Sequence, residues 1–445
     1  MSNPVFKFKV SSVDEDRYGW VRVASLGQRK LLTPVFLTLI KGESDFETYI
    51  DFMNTYKVDH LGACIIPIIF ARSTTEQKIA KLKELKKQNR LEGGLASESL
   101  ENFFDKTLVA IDPYTEYPHF EFEATLLKMS TSLAIPDSYR ELATRIYDFG
   151  QENKGDKKAV ISFAERNYVD FYLGLKSDPA KRTTFVKDFM NSESARGASI
   201  GIPSVPFVSY KYKDDLLDIL KELTRISKAL WKGGECLTYI PLEQRCLSDA
   251  EFMDRIASYI ETEESHYAIK VKNFDLIRSD AMTRESFFAF ETRLQRYRKE
   301  KSKLGILLEA GPQAIPCSIY GFDMVSTSLR ALDRDGAFGR SDAKGRGGYY
   351  DPVWLMVRPY KEIKQVFINR GNKLPCSCAV CKSITDLDAL TKDFWNSARR
   401  KHLLLTMNAL MTEFTLNVKD RRIDLSYDRI VKSELCPLKR IIPPH

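Results

Sequence analysis

The sequence predicts an α/β fold: a (β/α)8 barrel followed by a smaller C-terminal subdomain. Short apolar segments alternate with longer amphipathic ones along most of the chain, which is typical of βαβ units. About eight such repeats fit a barrel better than an open sheet of five or six strands. The predicted strands are 34–39, 62–69, 107–111, 158–163, 236–240, 266–271, 304–308 and 322–326, with 205–208 as a further candidate.

The predicted helices lie between these strands, where apolar residues recur at three- and four-residue steps. No Gly-x-Gly-x-x-Gly pattern follows an early strand, and no P-loop pattern occurs, so the sequence does not indicate a dinucleotide-binding Rossmann fold. The predicted helices are 45–57, 75–89, 138–152, 179–192, 212–230, 248–262 and 281–300.

The composition is that of a globular protein. The chain has 445 residues, of which 43% are hydrophobic and 29% charged, and this excludes a disordered or fibrous chain. The longest apolar stretch, Leu31–Ile40, is too short to span a bilayer, and the N-terminus lacks the pattern of a secretory signal. We therefore expect a soluble, cytoplasmic protein with no membrane partner. The net charge of +8 is compatible with nucleic acid but does not require it.

Two aspartates adjoin strongly apolar predicted strands. Asp112 follows strand 107–111, and Asp323 lies at strand 322–326. In a barrel, function sits at the carboxyl ends of the strands, so a carboxylate there is paired, solvated or catalytic. Asp112 could instead mark a turn at Pro113. The alternative for Asp323 is a helix cap or a salt bridge to a nearby arginine.

The other strand ends also carry charged residues. Lys270 lies on strand 266–271, and Glu309 follows strand 304–308. Most such residues are caps or turn residues, so the sequence assigns these two no role.

Three cysteines cluster near the C-terminus, at Cys376, Cys378 and Cys381. His402, one of only five histidines, follows in a predicted helix at 393–414. Thiolate and imidazole are preferred zinc ligands, and four of them without an open position form a structural site. The sequence therefore predicts a structural Zn²⁺ that joins the cysteine turn to this helix. The alternative is three separate thiols and a surface histidine.

A glycine-rich basic segment follows the last predicted strand. Flexible backbone, cations and the nearby tyrosines suit contacts with phosphates and bases, while the alternative is a surface loop without a partner. This segment divides the chain into a barrel, 1–335, and a second part, 336–445, with the basic loop and the zinc-binding subdomain packed on the barrel. The candidate nucleic-acid-binding residues are Arg334, Arg340, Lys344 and Arg346.

The zinc motif and three further elements resemble the tRNA-guanine transglycosylase superfamily, whose barrel is TIM-like. Thr33–Phe36 is similar to the TPVF strand of that family, and Gly321–Met324 to its G-I-D-M element near the nucleophile. Val109–Asp112 falls where the family has the strand leading to its other catalytic aspartate. Together the matches extend from about residue 20 to residue 415.

The chain also departs from the family pattern. The Asp-Ser-Gly-Gly-Phe-Gln signature is absent, and Asp112 and Pro113 stand in its place. Ser326 occupies the position of the nucleophilic aspartate of the tRNA enzymes, so Asp323 is the only acidic residue of that element. This pattern, the short Cys–His spacing and the basic loop most resemble the DpdA branch, whose members act on DNA.

The resemblance implies a transglycosylase that exchanges guanine in DNA for a 7-deazaguanine base, 7-cyano-7-deazaguanine. It implies a DNA-modification and restriction system with a partner ATPase. Base exchange with retention needs one carboxylate as nucleophile, forming a covalent glycosyl-enzyme, and one as acid/base. We assign Asp323 as nucleophile and Asp112 as acid/base or base-binding group.

Two other functions fit the same residues. One is a transglycosylase acting on RNA, because side chains alone do not distinguish DNA from RNA. The other is a non-catalytic, nucleic-acid-binding homologous subunit, which the serine at position 326 favours.

Overall fold

The computed structural model shows a mixed α/β protein. It describes residues 8–16, 19–26, 29–40, 43–67, 108–113, 123–272, 274–276, 279–319, 321–329, 347–423, 425–426 and 428.

Three sheets are present among the described residues. An antiparallel sheet contains β1 (Phe8–Asp16), β2 (Gly19–Leu26) and β3 (Arg29–Leu32). The parallel sheet contains β4 (Val35–Leu39), β5 (Leu61–Pro67), β6 (Leu108–Asp112), β7 (Thr238–Glu243), β8 (Tyr267–Lys272), β9 (Gly305–Leu308) and β10 (Met324–Ser328). A two-stranded sheet contains β11 (Tyr349–Asp351) and β12 (Met356–Arg358).

The helices confirm most of the sequence prediction, while the predicted helix at 75–89 lies outside the described residues. They are α1 (Glu43–Thr55), α2 (Glu123–Thr131), α3 (Asp137–Glu152), α4 (Lys157–Ser177), α5 (Pro179–Ala195), α6 (Lys213–Leu230), α7 (Ala250–Glu263), α8 (Ala281–Lys301), α9 (Ala314–Ile319), α10 (Tyr360–Asn369), α11 (Ala379–Lys382) and α12 (Lys392–Lys419).

The parallel sheet is curled. Its order is β6-β5-β4-β10-β9-β8-β7, so β10 lies beside β4 and the edges are β6 and β7. Lys270 on β8 nevertheless contacts Asp112 on β6, with 2.8 Å between Nζ and Oδ2. A flat sheet would hold these strands five positions apart, about 24 Å at the usual strand spacing. The contact therefore requires the sheet to bend into a half-barrel, as a TIM-like fold does.

A segment before α6, residues 199–208, contacts both edges of this sheet. The Ser199 backbone N–H donates to the Val109 carbonyl on β6 at 2.7 Å. On the other side, the Val208 N–H donates to the Pro241 carbonyl on β7 at 2.8 Å. The candidate strand 205–208 thus lies where the sheet edges face each other, with isolated bridges instead of a continuous ladder.

The predicted strand at 158–163 is wrong, because these residues belong to α4. The Asp156 carboxylate accepts a hydrogen bond from the Ala159 N–H at 3.0 Å and caps this helix. Buried residues then recur at helical spacing through Val160, Ala164 and Tyr168. The six residues 158–163 are too few to show this helical period.

Helix α12 runs alongside α1 and belongs to two cores. Trp395 and Ala398 pack in a core with the cysteine turn, while Leu404 and Met407 pack in the main core. Arg400 pairs at 3.2 Å with Asp45, near the start of α1. Since α1 leaves the carboxyl end of β4, the first turns of α12 lie towards the carboxyl ends of the strands. The predicted domain boundary after residue 335 falls outside the described residues.

Among the described residues, no helix combines the length and apolar character that crossing a membrane requires.

The buried His266 makes stability depend on pH. Its Nδ1 accepts a hydrogen bond from the Leu304 N–H at 2.9 Å, and burial lowers the pKa of the ring to about 3. The unfolded chain therefore binds a proton below about pH 6.5 that the folded chain excludes. The stabilisation is complete above this pH and is lost as the pH falls towards 3.

We expect wild type to lose about 2 kcal/mol more than His266→Gln between pH 6.5 and pH 5, because glutamine does not titrate. Urea unfolding of both proteins at the two pH values measures the difference. Equal losses in the two proteins would contradict the prediction.

Candidate functional site

The four predicted metal ligands come together. The sulfur atoms of Cys376, Cys378 and Cys381 and a ring nitrogen of His402 all lie within 4.8 Å of one another. The Cys378 and Cys381 sulfurs are 3.4 and 3.2 Å from His402 Nδ1. Tetrahedral zinc with its usual bond lengths places sulfur and nitrogen ligands roughly 3.6 Å apart. This group could therefore hold a metal ion.

The orientation of His402 also fits metal binding. Its Nε2 lies 2.7 Å from the Tyr350 carbonyl oxygen, so this nitrogen carries the proton and donates it. The lone pair of Nδ1 then faces the sulfurs. Such a backbone partner commonly fixes the tautomer of a metal-bound histidine.

The cysteine turn is shaped by its own backbone. Cys378 caps the short helix α11, and its sulfur accepts a hydrogen bond from the Cys381 N–H at 3.5 Å. The Cys376 sulfur accepts one from the Cys378 N–H at 3.3 Å. These hydrogen bonds hold the Cys376 and Cys378 sulfurs in place at the turn.

A second group forms at the carboxyl ends of the parallel strands. Lys270 Nζ lies 2.8 Å from Asp112 Oδ2 and 3.4 Å from Glu309 Oε1. Asp112 and Lys270 are 1% and 3% exposed, whereas the Glu309 side chain is 24% exposed. Buried charges require partners, and Lys270 has two carboxylates. We call these three residues the carboxylate–lysine cluster.

The strand register explains why the cluster forms. Asp112 pairs with Pro67 of β5, and Lys270 pairs with Leu308 of β9. The pairings of β4 with β5 and of β10 with β4 and β9 connect these two ends of the register. Because side chains alternate along a strand, Asp112 and Lys270 lie on the same face of the sheet. The curl of the sheet then brings the two side chains into contact.

Glu309 is also linked to the neighbouring strand β10. Its backbone N–H donates to the Ser326 hydroxyl at 2.8 Å. Its φ of 56° is left-handed, a conformation that costs energy for a residue other than glycine and concentrates at functional sites. Lys270 and Glu309 were predicted to lie at strands or strand ends, but the sequence did not predict that their side chains lie close to Asp112.

Glu193 on α5 adds a buried carboxyl group near the cluster, which sequence reasoning did not single out. It is fully buried, and its Oε2 accepts a hydrogen bond from the Ile202 N–H at 3.3 Å. Burial raises its pKa well above the usual range, and the charge of Asp112 adds to this. Burial therefore favours the protonated form of Glu193.

A cleft of about 720 Å³ opens between the ends of β7 and β8 and the start of α8. Its wall includes Tyr210, which is 39% exposed, and the guanidinium of Arg245 lies 5.8 Å from the Tyr210 ring centroid. Lys272 also lines it, two residues beyond Lys270 on the same face of β8. The cleft therefore adjoins the carboxylate–lysine cluster.

Asp323 lies at the other end of the sheet. It immediately precedes β10, and its backbone N–H donates to the Gly305 carbonyl at the start of β9. It is fully buried, and Oδ1 accepts a hydrogen bond from Arg22 Nε at 2.8 Å. Arg298 Nε is 3.4 Å from Oδ2. The structure therefore does not bring Asp112 and Asp323 together, and two arginines contact the Asp323 carboxylate.

The salt-bridge alternative for Asp323 thus has a geometric basis, although its partners lie far away in sequence. The candidate nucleic-acid-binding residues, Arg334, Arg340, Lys344 and Arg346, lie outside the described residues.

Comparison with models of known protein families and with curated proteins found no match for this chain. The fold and the site together define this chain as an α/β protein with a curled parallel sheet. Its Cys3His group could hold a metal ion.

Proposed function

We propose that this chain is a transglycosylase that exchanges guanine in DNA for a 7-deazaguanine base, 7-cyano-7-deazaguanine. The observation that carries the proposal is the pair of carboxylates, Asp112 and Glu309, on one lysine at the carboxyl ends of the strands. Retaining exchange at a glycosidic bond needs two such groups. The Cys3His group supports the same proposal, with zinc in a structural role.

We also propose that the sheet is a closed (β/α)8 barrel. The strands follow chain order around the sheet, and segment 199–208 supplies the missing eighth position between β6 and β7. In this arrangement the cluster lies at the mouth of the barrel.

The spacing of the two carboxylates suits a covalent mechanism. Asp112 Oδ2 and Glu309 Oε1 both contact Lys270 Nζ. The two oxygens are therefore separated by at most the sum of their distances to Nζ, roughly 6 Å. Retaining enzymes hold their carboxyl groups about 5 Å apart, and inverting enzymes keep them farther apart for a water molecule. The cluster therefore favours double displacement.

In the proposed reaction, a Glu309 carboxylate oxygen attacks C1′ of the deoxyribose. The bond from C1′ to the guanine nitrogen breaks, and guanine leaves with the proton held between Asp112 and Lys270. The incoming base then returns its N–H proton to this pair. Its nitrogen attacks C1′, breaks the ester to Glu309 and restores the original configuration.

This assignment keeps Asp112 as acid/base but replaces Asp323 with Glu309 as nucleophile. Glu309 is the more exposed carboxylate and adjoins Ser326, where the resembled family carries its nucleophile. Its carboxylate would compensate for the serine at that position.

The remaining groups have proposed roles in binding. The cleft with Tyr210 and Arg245 would hold a heterocyclic base by stacking. The basic residues Arg334, Arg340, Lys344 and Arg346 would contact DNA phosphates. A partner ATPase would act with the chain in a DNA-modification and restriction system, as the resemblance implies.

Asp112→Asn and Glu309→Gln should each reduce base exchange at least about 100-fold, because each removes one of the two reacting carboxylates. Mass spectrometry of nucleosides from DNA and tRNA of cells supplied with the 7-deazaguanine base and the neighbouring genes measures the product. Asp254→Asn is the matched control, since this carboxylate is 71% exposed on α7.

Full exchange in Glu309→Gln would overturn the proposed nucleophile. A modified ribonucleoside would move the chain to the RNA-directed alternative. No product in either nucleic acid would favour the non-catalytic, nucleic-acid-binding subunit.

A further inference from the structure

The hairpin formed by β11 and β12 carries an exposed apolar tip. Val353 and Trp354 are 55% and 42% exposed. Leu355, by contrast, is buried, and its backbone takes a left-handed φ of 53°. The buried leucine holds the turn, and the turn displays the two apolar neighbours to solvent.

The conformation of the tip is fixed by a buried carboxylate. Asp351 accepts one hydrogen bond from the Val353 N–H at 2.9 Å and another from Arg358 Nε at 2.8 Å. The Arg358 guanidinium lies 5.5 Å from the Trp354 ring centroid. The tryptophan is thus an ordered aromatic surface beside a cation.

The base of the hairpin is attached to the Cys3His group. The Tyr350 carbonyl accepts the Nε2 proton of His402, and the Tyr349 hydroxyl is 3.3 Å from the Cys381 sulfur. The Tyr349 and His402 rings stack with 4.2 Å between centroids. Any interaction that fixes the positions of Cys376, Cys378, Cys381 and His402 therefore also fixes the base of the hairpin.

The hairpin belongs to the same end of the molecule as the carboxylate–lysine cluster. His402 follows Arg400, which pairs with Asp45 where α1 leaves the carboxyl end of β4. In the sequence, the basic residues Arg340, Lys344 and Arg346 directly precede β11. An exposed aromatic ring beside the Arg358 guanidinium suits a strand of nucleic acid, whose phosphates are anionic and whose bases stack.

We propose that Trp354 is a stacking platform for a base of single-stranded DNA beside the exchange site. The proposal rests on the proposed function, because a target guanine must leave its stack before exchange. Trp354 would stack on the base next to the target guanine, in the place that the guanine has left. The hairpin, attached to the Cys3His group, would hold this platform at a fixed position.

Binding of a labelled single-stranded DNA of about 12 nucleotides, followed by fluorescence anisotropy, tests the proposal. Trp354→Ala should weaken binding about 5- to 100-fold, the usual effect of removing one base–aromatic stack. Trp354→Phe should retain most of the affinity, since phenylalanine also stacks. Phe394→Ala is the matched control, because Phe394 is an aromatic residue on α12 with 44% exposure.

Unchanged affinity in Trp354→Ala, or an equal loss in Phe394→Ala, would overturn the proposal. So would a wild-type dimer that Trp354→Ala converts to a monomer without a change in DNA affinity. Binding that depends on Trp354 without any base exchange would leave this inference standing and remove only the catalytic proposal.

Discussion

Cys378→Ser should abolish metal binding and unfold the surroundings of the cysteine turn. A serine hydroxyl does not replace a thiolate ligand, and the binding free energy of a structural metal is folding free energy. Zinc-finger peptides gain about 10–16 kcal/mol in this way. Here the neighbouring core around Trp395 remains, so we expect a smaller loss of at least about 3 kcal/mol.

Elemental analysis should find about one zinc per wild-type chain and none in the variant. Hydrogen exchange should accelerate from β11 to the first turns of α12, while the parallel sheet stays protected. Cys246→Ser is the control: this buried cysteine lies outside the Cys3His group, and its sulfur donates to the Val208 carbonyl, as a hydroxyl also can. A Cys378→Ser protein that keeps its metal or its protection would contradict the structural-zinc prediction.

Asp323→Ala should destabilise the whole protein by about 3–5 kcal/mol, the usual cost of removing one member of a buried ion pair. Arg22 and Arg298 are 1% and 0% exposed, and both lie against this carboxylate. Glu291 still pairs with Arg298, but Arg22 would lose the carboxylate that both Nε and Nη2 contact.

Denaturant unfolding measures this loss, with Asp254→Ala as a control that should change stability by less than about 1 kcal/mol. The nucleophile prediction for Asp323 implies the opposite pattern: full stability with no base exchange. Stability and base exchange measured on Asp323→Ala therefore separate a structural carboxylate at the start of β10 from a catalytic one.

The sequence predicted the strands best where they are continuous and apolar. The eighth position of the sheet was harder, because segment 199–208 contains Pro203 and Pro206. Proline has no N–H to donate, so this segment forms isolated bridges, and only its last part, 205–208, has the sequence pattern of a strand. The apolar residues of 158–163 look like a strand over six positions, but they continue a helical period.

The metal ligands could be predicted because three of the four lie within six consecutive residues. Their spacing alone brings the sulfurs close, and only the position of His402 on the following helix had to be inferred. The orientation of its ring depends on the Tyr350 carbonyl, which the sequence did not connect to it.

The sequence by itself determined the order of strands and helices and the donor set near the C-terminus, because both depend on neighbouring residues. Only the tertiary structure decided which charges meet. Asp112 and Lys270 are 158 positions apart and touch because the register places them on one face of a curled sheet. Asp323 also adjoins a strand of the sheet, but at its amino end, where two buried arginines neutralise it.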